Sequence, residues 1–272
     1  MPTATQQEKI ARFRALHAAP GAFVIPNPWD AGSARMLAGL GFESLATSSS
    51  ASAATQGRRD YGVTRNQAIA LARAIVDETD VPVSADLENG FGAEPEAVVE
   101  TIRLAAEVGL AGCSIEDAAG DAAPYELSLP TERIAAAVEA SRALKFPLVL
   151  TARAENYVRG KPNLDDTIKR LQAFEAAGAD VLFAPGLPDL ATVRTVCAAV
   201  TKPVNVVGAM QNGGLSLAEL ADAGVKRISL ATSLYRAAMA ALRDAATEAR
   251  KGTFTFSARA ISTPDLNSFL RS

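Results

Sequence analysis

Four times in this chain a helix-like segment ends in glycine and runs straight into an apolar strand. Gly41 precedes Phe42–Thr47, Gly109 precedes Leu110–Glu116, Gly178 precedes Asp180–Phe183, and Gly224 precedes Lys226–Ala231. Three further strands open behind a proline: Val83–Asp86 after Pro82, Leu148–Ala152 after Pro147, and Val204–Val207 after Pro203. Glycine just past a helix end supplies the left-handed cap, and proline is tolerated at a strand's first residue. With Ala22–Pro26 in front, this makes eight strands. Between and after them lie Ala- and Leu-rich helical stretches: Trp29–Leu40, Thr64–Thr79, Pro95–Val108, Thr131–Leu144, Leu164–Ala177, Leu190–Val200, Leu217–Ala223 and Leu234–Arg250. Several strand cores, such as Val181–Ala184, are unbroken apolar runs, as expected of strands covered on both faces. The reading is α/β: one (β/α)8 TIM-type barrel with its core over about residues 20–250. A doubly wound sheet fits less well, because the first turn, Pro26-Asn27-Pro28-Trp29-Asp30, lacks the phosphate-binding glycines.

The tail, Lys251 to Ser272, is polar apart from Phe254, Phe256, Leu266 and Phe269. It is expected to pack on its own barrel or on a neighbouring subunit. A chain of 272 residues with 49% hydrophobic residues buries a large core. Net charge of −3 offers no basic surface for nucleic acid, and no apolar run spans a membrane. Cys113 and Cys197 read as buried thiols, and the N-terminus has no signal-peptide pattern, so a soluble cytoplasmic protein is expected.

In a barrel of this kind the carboxyl ends of all strands meet at one mouth. Asp86 and Glu88 follow the third strand, Glu116 ends the fourth, and Asp60 lies in the long loop after the second. Oxygen ligands with no histidine or thiol nearby suit Mg²⁺, or Mn²⁺, better than zinc. Ser48, Ser49 and Ser50 can present N–H and hydroxyl donors to a carboxylate or phosphate; taken alone they also read as a flexible polar loop. Arg153 ends the fifth strand, placed either to brace the acids or to fix a substrate oxyanion. The lone histidine, His17, precedes the first strand, so histidine acid–base catalysis is not expected.

Arg59-Asp60 behind the serine segment, Asp86-Leu87-Glu88-Asn89-Gly90-Phe91-Gly92, Ser114-Ile115-Glu116-Asp117 and Thr151-Ala152-Arg153, in that order, resemble the phosphoenolpyruvate mutase/isocitrate lyase superfamily over nearly the whole chain. The resemblance implies a barrel whose last helix is exchanged between subunits, giving a homodimer or homotetramer. It implies Mg²⁺ held, partly through water, by Asp60, Asp86, Glu88 and Glu116. It also implies a small 2-oxo or 2-hydroxy acid as substrate, its carboxylate on Ser48, Ser49 and Ser50, with Arg153 and Asn205 in the family's binding positions.

Two departures stand out. The family's carbon–carbon lyases carry Lys-Lys-Cys-Gly-His after Glu-Asp, where this chain has Ala118-Ala119-Gly120-Asp121-Ala122-Ala123-Pro124-Tyr125. Pro185 stands where many lyases have glutamate. The expected activity is therefore Mg²⁺-dependent carbon–carbon cleavage through a pyruvate enolate, in the manner of an oxaloacetate decarboxylase or methylisocitrate lyase. Tyr125 is the candidate proton donor should its loop close. The alternatives are carbon–phosphorus chemistry, as phosphonomutase or phosphonopyruvate hydrolase, and a 2-oxo-acid binding protein without turnover.

Overall fold

The computed structural model describes residues 4–208 and 214–270; the final two residues of the tail therefore lie outside the described part. The strands are β1 (Phe23–Ile25), β2 (Leu45–Ala46), β3 (Val83–Asp86), β4 (Gly112–Glu116), β5 (Val149–Arg153), β6 (Val181–Phe183), β7 (Val204–Val207) and β8 (Arg227–Ser229). They form one all-parallel sheet in the order β1-β8-β7-β6-β5-β4-β3-β2. No ladder joins β1 to β2. That seam is bridged by the Ala46 N–H donating to the Pro26 carbonyl at 3.0 Å. The buried Asn27 side chain adds two bonds there, Nδ2 to the Thr47 carbonyl at 3.0 Å and Oδ1 from the Leu230 N–H at 2.9 Å. The result is a nearly closed (β/α)8 barrel, as expected.

Surrounding it are α1 (Gln6–Ala18), α2 (Ala31–Gly39), α3 (Ser49–Thr55), α4 (Arg65–Glu78), α5 (Pro95–Glu107), α6 (Ser128–Arg142), α7 (Leu164–Ala176), α8 (Leu190–Ala198), α9 (Leu217–Asp222), α10 (Ser233–Arg250) and α11 (Thr263–Phe269). The four junction glycines, Gly41, Gly109, Gly178 and Gly224, all take left-handed φ values of 84–101°. Helices α5, α6 and α7 seal the outer face of the sheet with Ile102, Ile134 and Phe174, all essentially fully buried.

Three features differ from the sequence reading. Helix α1 was not foreseen, although Thr5 and Glu8 form a capping box that starts it; its Phe13 is fully buried against β4 and β5. The serine segment is not a flexible loop: Ser48 caps α3, its hydroxyl accepting from the Ala51 N–H. The unbroken apolar run holds for β6 but does not extend to every strand. β3, β4, β5 and β8 alternate, with apolar residues such as Ala85 and Ile115 between polar ones such as Ser84, Ser114, Thr151 and Ser229. Small polar residues inside the barrel leave space where branched aliphatics would fill it.

The tail docks on its own barrel through α11. The Phe269 ring lies over Gly39, and its carbonyl accepts from Arg35 Nε at 2.9 Å. Helix α10 is different: none of its residues is buried, and Leu242 is 60% exposed.

Gly112 marks the tightest strand approach. A Cβ there would sit 2.6 Å from the Val149 carbonyl oxygen and 2.9 Å from Phe13. Gly112→Ala is expected to destabilise the protein by about 1–3 kcal/mol, measured by urea unfolding. An unchanged midpoint would mean that β4 and β5 separate without penalty.

Candidate active site

A cavity of about 800 Å³ opens at the carboxyl ends of the strands. One wall carries Ser48, Ser49, Ser50, Asp60, Asp86 and Arg153. The opposite wall is apolar, built from Pro185, Leu187, Pro188, Val193, Val206 and Val207. The serines stand at the rim because α3 begins directly where β2 stops. The Ser49 N–H donates to Asp86 Oδ2 at 3.2 Å, and Thr47 Oγ1 accepts from the Asp86 N–H at 3.0 Å. The first holds the Asp86 carboxylate and the second its backbone to the chain leaving β2. Asp60 projects from the exposed stretch after α3, and its carboxylate accepts from the Ser49 hydroxyl.

Beyond Asp86 the chain turns sharply. Glu88 and Phe91 take φ of 50° and 62°, Gly90 of 80°. Side chains other than glycine pay for such angles, and they persist where the surroundings over-determine them, typically at ligand-binding turns. The turn buries the Glu88 carboxylate, and Glu88 Oε1 has no hydrogen-bond partner. Burial, then the charges of Asp86 and Asp60, push the Glu88 pKa up to about 8. Desolvation at the rim, then the Asp86 charge, holds Asp60 above its usual range as well. The Asp86 charge thus opposes ionisation of both its neighbours.

Arg153 supplies the positive charge. Its Nη1 lies 3.5 Å from Asp86 Oδ2 and 3.4 Å from Glu116 Oε2, its Nε donates to Glu155, and its guanidinium stands 5.3 Å from the centre of the Phe183 ring. Three carboxylates outweigh its burial, so it stays charged. Glu116 is turned toward cations rather than toward Glu88. Its Oε1 accepts from the Tyr61 hydroxyl at 2.8 Å and lies 3.3 Å from Arg159, and burial still raises its pKa. Tyr61 and Arg159 were not singled out from the sequence. The signal was there, since Tyr61 follows Asp60 and Arg159 stands one helical turn beyond Glu155.

Tyr125 does not line the cavity. Its hydroxyl accepts from Asn89 Nδ2 at 2.9 Å and its ring lies 5.0 Å below the Arg133 guanidinium. Its own carbonyl accepts from Arg170, which also pairs with Asp117. Asn205 does line the cavity, but its amide is committed, Nδ2 to Ser229 at 3.2 Å and Oδ1 from Arg227 Nε at 2.9 Å.

Asp60 and Asp86 line the cavity, whereas Glu88 and Glu116 do not; the three rim acids offer oxygen donors only, and the buried Glu88 Oε1 has no partner. That chemistry fits a hard dication. Among the described residues no three acidic groups are drawn together closely enough to enclose an ion unaided.

The family model for phosphoenolpyruvate phosphomutase matches residues 13–250, from α1 through α10. The chain belongs to the phosphoenolpyruvate phosphomutase family. Within the wider phosphoenolpyruvate mutase/isocitrate lyase superfamily, it is 31% identical to the 2-methylisocitrate lyase of Bacillus subtilis strain 168, over 67% of this chain and 62% of that one. It is 26% identical to the oxaloacetate decarboxylase of Pseudomonas savastanoi pv. phaseolicola, over 92% and 88%. A solved structure from Burkholderia cenocepacia J2315, provisionally described as a lyase or mutase, superposes with a TM-score of 0.94 at 54% identity, covering 97% of this chain and 96% of that one. Family members thus include lyases and mutases of small carboxylic acids. Among the described residues no helix is long and apolar enough to cross a membrane.

Proposed function

We propose that this family member is a Mg²⁺-dependent carbon–carbon lyase acting on a small 2-oxo acid, with decarboxylation of an oxaloacetate-like substrate as its simplest form. The observation that carries the reading is Arg153, fixed between Asp86 and Glu116 while lining the same cavity as the rim serines. The substrate carboxylate rests on Ser48–Ser50, where hydroxyls and N–H groups outnumber acids. That places the 2-oxo oxygen toward Arg153 and the Asp86–Glu88 corner. Mg²⁺, held by Asp86 and Glu88 with Asp60 through water, would supply Lewis-acid withdrawal of charge from that oxygen.

Breaking the bond at carbon 3 sends its electron pair into the 2-oxo system, and the product is a pyruvate enolate. The Arg153 guanidinium is already oriented by three carboxylates, so it meets the developing charge without reorganising. Decarboxylation needs no base to start, which agrees with the absence of lysine, cysteine and histidine from residues 118–125. Tyr125 faces Asn89, so water entering the cavity returns the proton. Carbon–phosphorus chemistry would call for a lysine in the same segment.

The test is direct. Purified protein with Mg²⁺ should release pyruvate from oxaloacetate at least about 10²-fold faster than Mg²⁺ alone, the order a single general or electrostatic catalyst supplies. Binding of 2-oxo acids without release would establish the non-catalytic alternative instead.

For the assembly we propose a homodimer or homotetramer in which a second copy covers the outer part of α10, where Met239 and Leu242 are exposed.

A further inference from the structure

The cavity does not end at the acidic rim. It continues down the barrel between Ser84, Ser114 and Ser229 to Arg227, which is 5% exposed and opens β8. Buried Arg133 lies outside this cavity, against the Asn89 carbonyl and the Tyr125 ring; the other arginines near the site each have an acid: Arg153 has Asp86, Glu116 and Glu155, Arg159 has Glu116, and Arg170 has Asp117. Arg227 has none among the described residues. Its partners are neutral: Nε donates to Asn205 Oδ1 at 2.9 Å, Nη2 to Thr151 Oγ1 at 3.0 Å, and Nη1 faces His17 Nε2 at 3.4 Å.

The histidine contributes no negative charge. Burial first, then the Arg227 charge, pulls its pKa down to about 3. It is therefore neutral, with Nδ1–H donating to the Phe13 carbonyl at 2.8 Å and the Nε2 lone pair toward Arg227. On Arg227 itself only burial acts, lowering its pKa to about 9. Three neutral contacts occupy three of the five N–H donors of a guanidinium, leaving one on each Nη. A buried cation with neutral neighbours, spare donors and an open cavity beside it lacks a counter-ion.

The position of that missing charge is set by β5. Thr151 and Arg153 are two residues apart, so they share a face and lie about 6.6 Å apart along the strand. Thr151 bonds Arg227, and Arg153 holds the rim acids. The two guanidinium layers are therefore separated by about the span of a short diacid, and Asn205 braces the lower one.

We propose that Arg227, braced by Asn205 and Thr151, is a second anion subsite at the closed end of the cavity, and that the substrate is a diacid of four or five carbons whose distal acid group binds there. This rests on the lyase reading for the rim end only. It adds that a 2-oxo acid ending in an alkyl group is a poor ligand, although the opposite wall is apolar.

Calorimetry on the full chain tests this with 2-oxoglutarate and 2-oxopentanoate, which differ only in a distal carboxylate or methyl. The wild type is expected to prefer the diacid by about 10–100-fold, the range of a charge-assisted contact. Arg227→Gln should collapse that ratio to near unity, and Arg227→Lys should keep part of it, with melting curves showing that each variant is folded. Equal wild-type affinities overturn the proposal even if neither variant folds, as does a ratio that survives in Arg227→Gln. The titrations are run with and without Mg²⁺. Failure of the ion to strengthen either ligand counts against the rim reading alone, because the ratio depends on the far end.

Discussion

Arg153→Met is expected to damage the protein twice over. It leaves Glu155 and Glu116 buried beside Asp86 with Arg159 as the one cation still shared between them. Removing one partner from a buried ion network costs about 3–5 kcal/mol, since the remaining charges stay desolvated. Pyruvate release should fall by about 10³-fold, the upper range for deleting a preorganised charge at a developing oxyanion. Arg153→Lys should rescue little of either, because one ammonium cannot reach three carboxylates as a planar fork does. The stability loss should be larger at pH 8 than at pH 6, as protonation of Glu116, whose pKa burial already raises, relieves the repulsion. Urea unfolding at both pH values checks this, and a penalty below about 1 kcal/mol at either would show that the carboxylates do not depend on Arg153.

Asp86→Ala should separate function from stability. Asp86 is the acid that both other members of the rim corner respond to, raising Glu88 and Asp60 by its charge. Without it, Mg²⁺-dependent pyruvate release should drop by at least about 10²–10³-fold. The fold should lose little, because the lost bonds from Ser49 and Arg153 are offset by relief of like-charge repulsion. Asp86→Asn keeps the shape and should be as inactive, which assigns the effect to charge. An Asn variant within tenfold of wild type would remove Asp86 from the proposed chemistry. Active sites that hold like charges together commonly trade stability for function in this way.

The barrel was legible because its punctuation is physical. Glycines at helix ends and prolines at strand starts mark backbone requirements that tertiary packing does not override, and they located seven of the eight strands. The rim acids were legible for the same reason, since strand ends fix where their side chains begin. The pairing among them was not. Glu88 follows Asp86 by two residues and Glu116 ends the neighbouring strand, yet Glu116 turns to Tyr61, Arg153 and Arg159 while Glu88 faces Asp60 and Asp86. Spacing along a strand gives the face of a side chain and not its rotamer. Helix α3 was hidden by composition, because serine at a cap and serine in a loop look alike until the Ser48 hydroxyl finds the Ala51 N–H. Arg227 had a readable signature. An arginine alternating with Ser229 around Ile228 marks a strand with a polar inner face.

The seam between β1 and β2 gives the barrel a hinge side. Seven of its eight joints are ladders, whereas this one relies on a lone backbone bond and one carboxamide. Asn27 stitches three strand ends together from inside the chamber, so its amide is at once wall and rivet. Any molecule that competes for that amide loosens the cylinder on the side where the serines stand. Girth at the mouth and cohesion of the shell are thus governed by the same few atoms, and a tight-fitting guest changes both together.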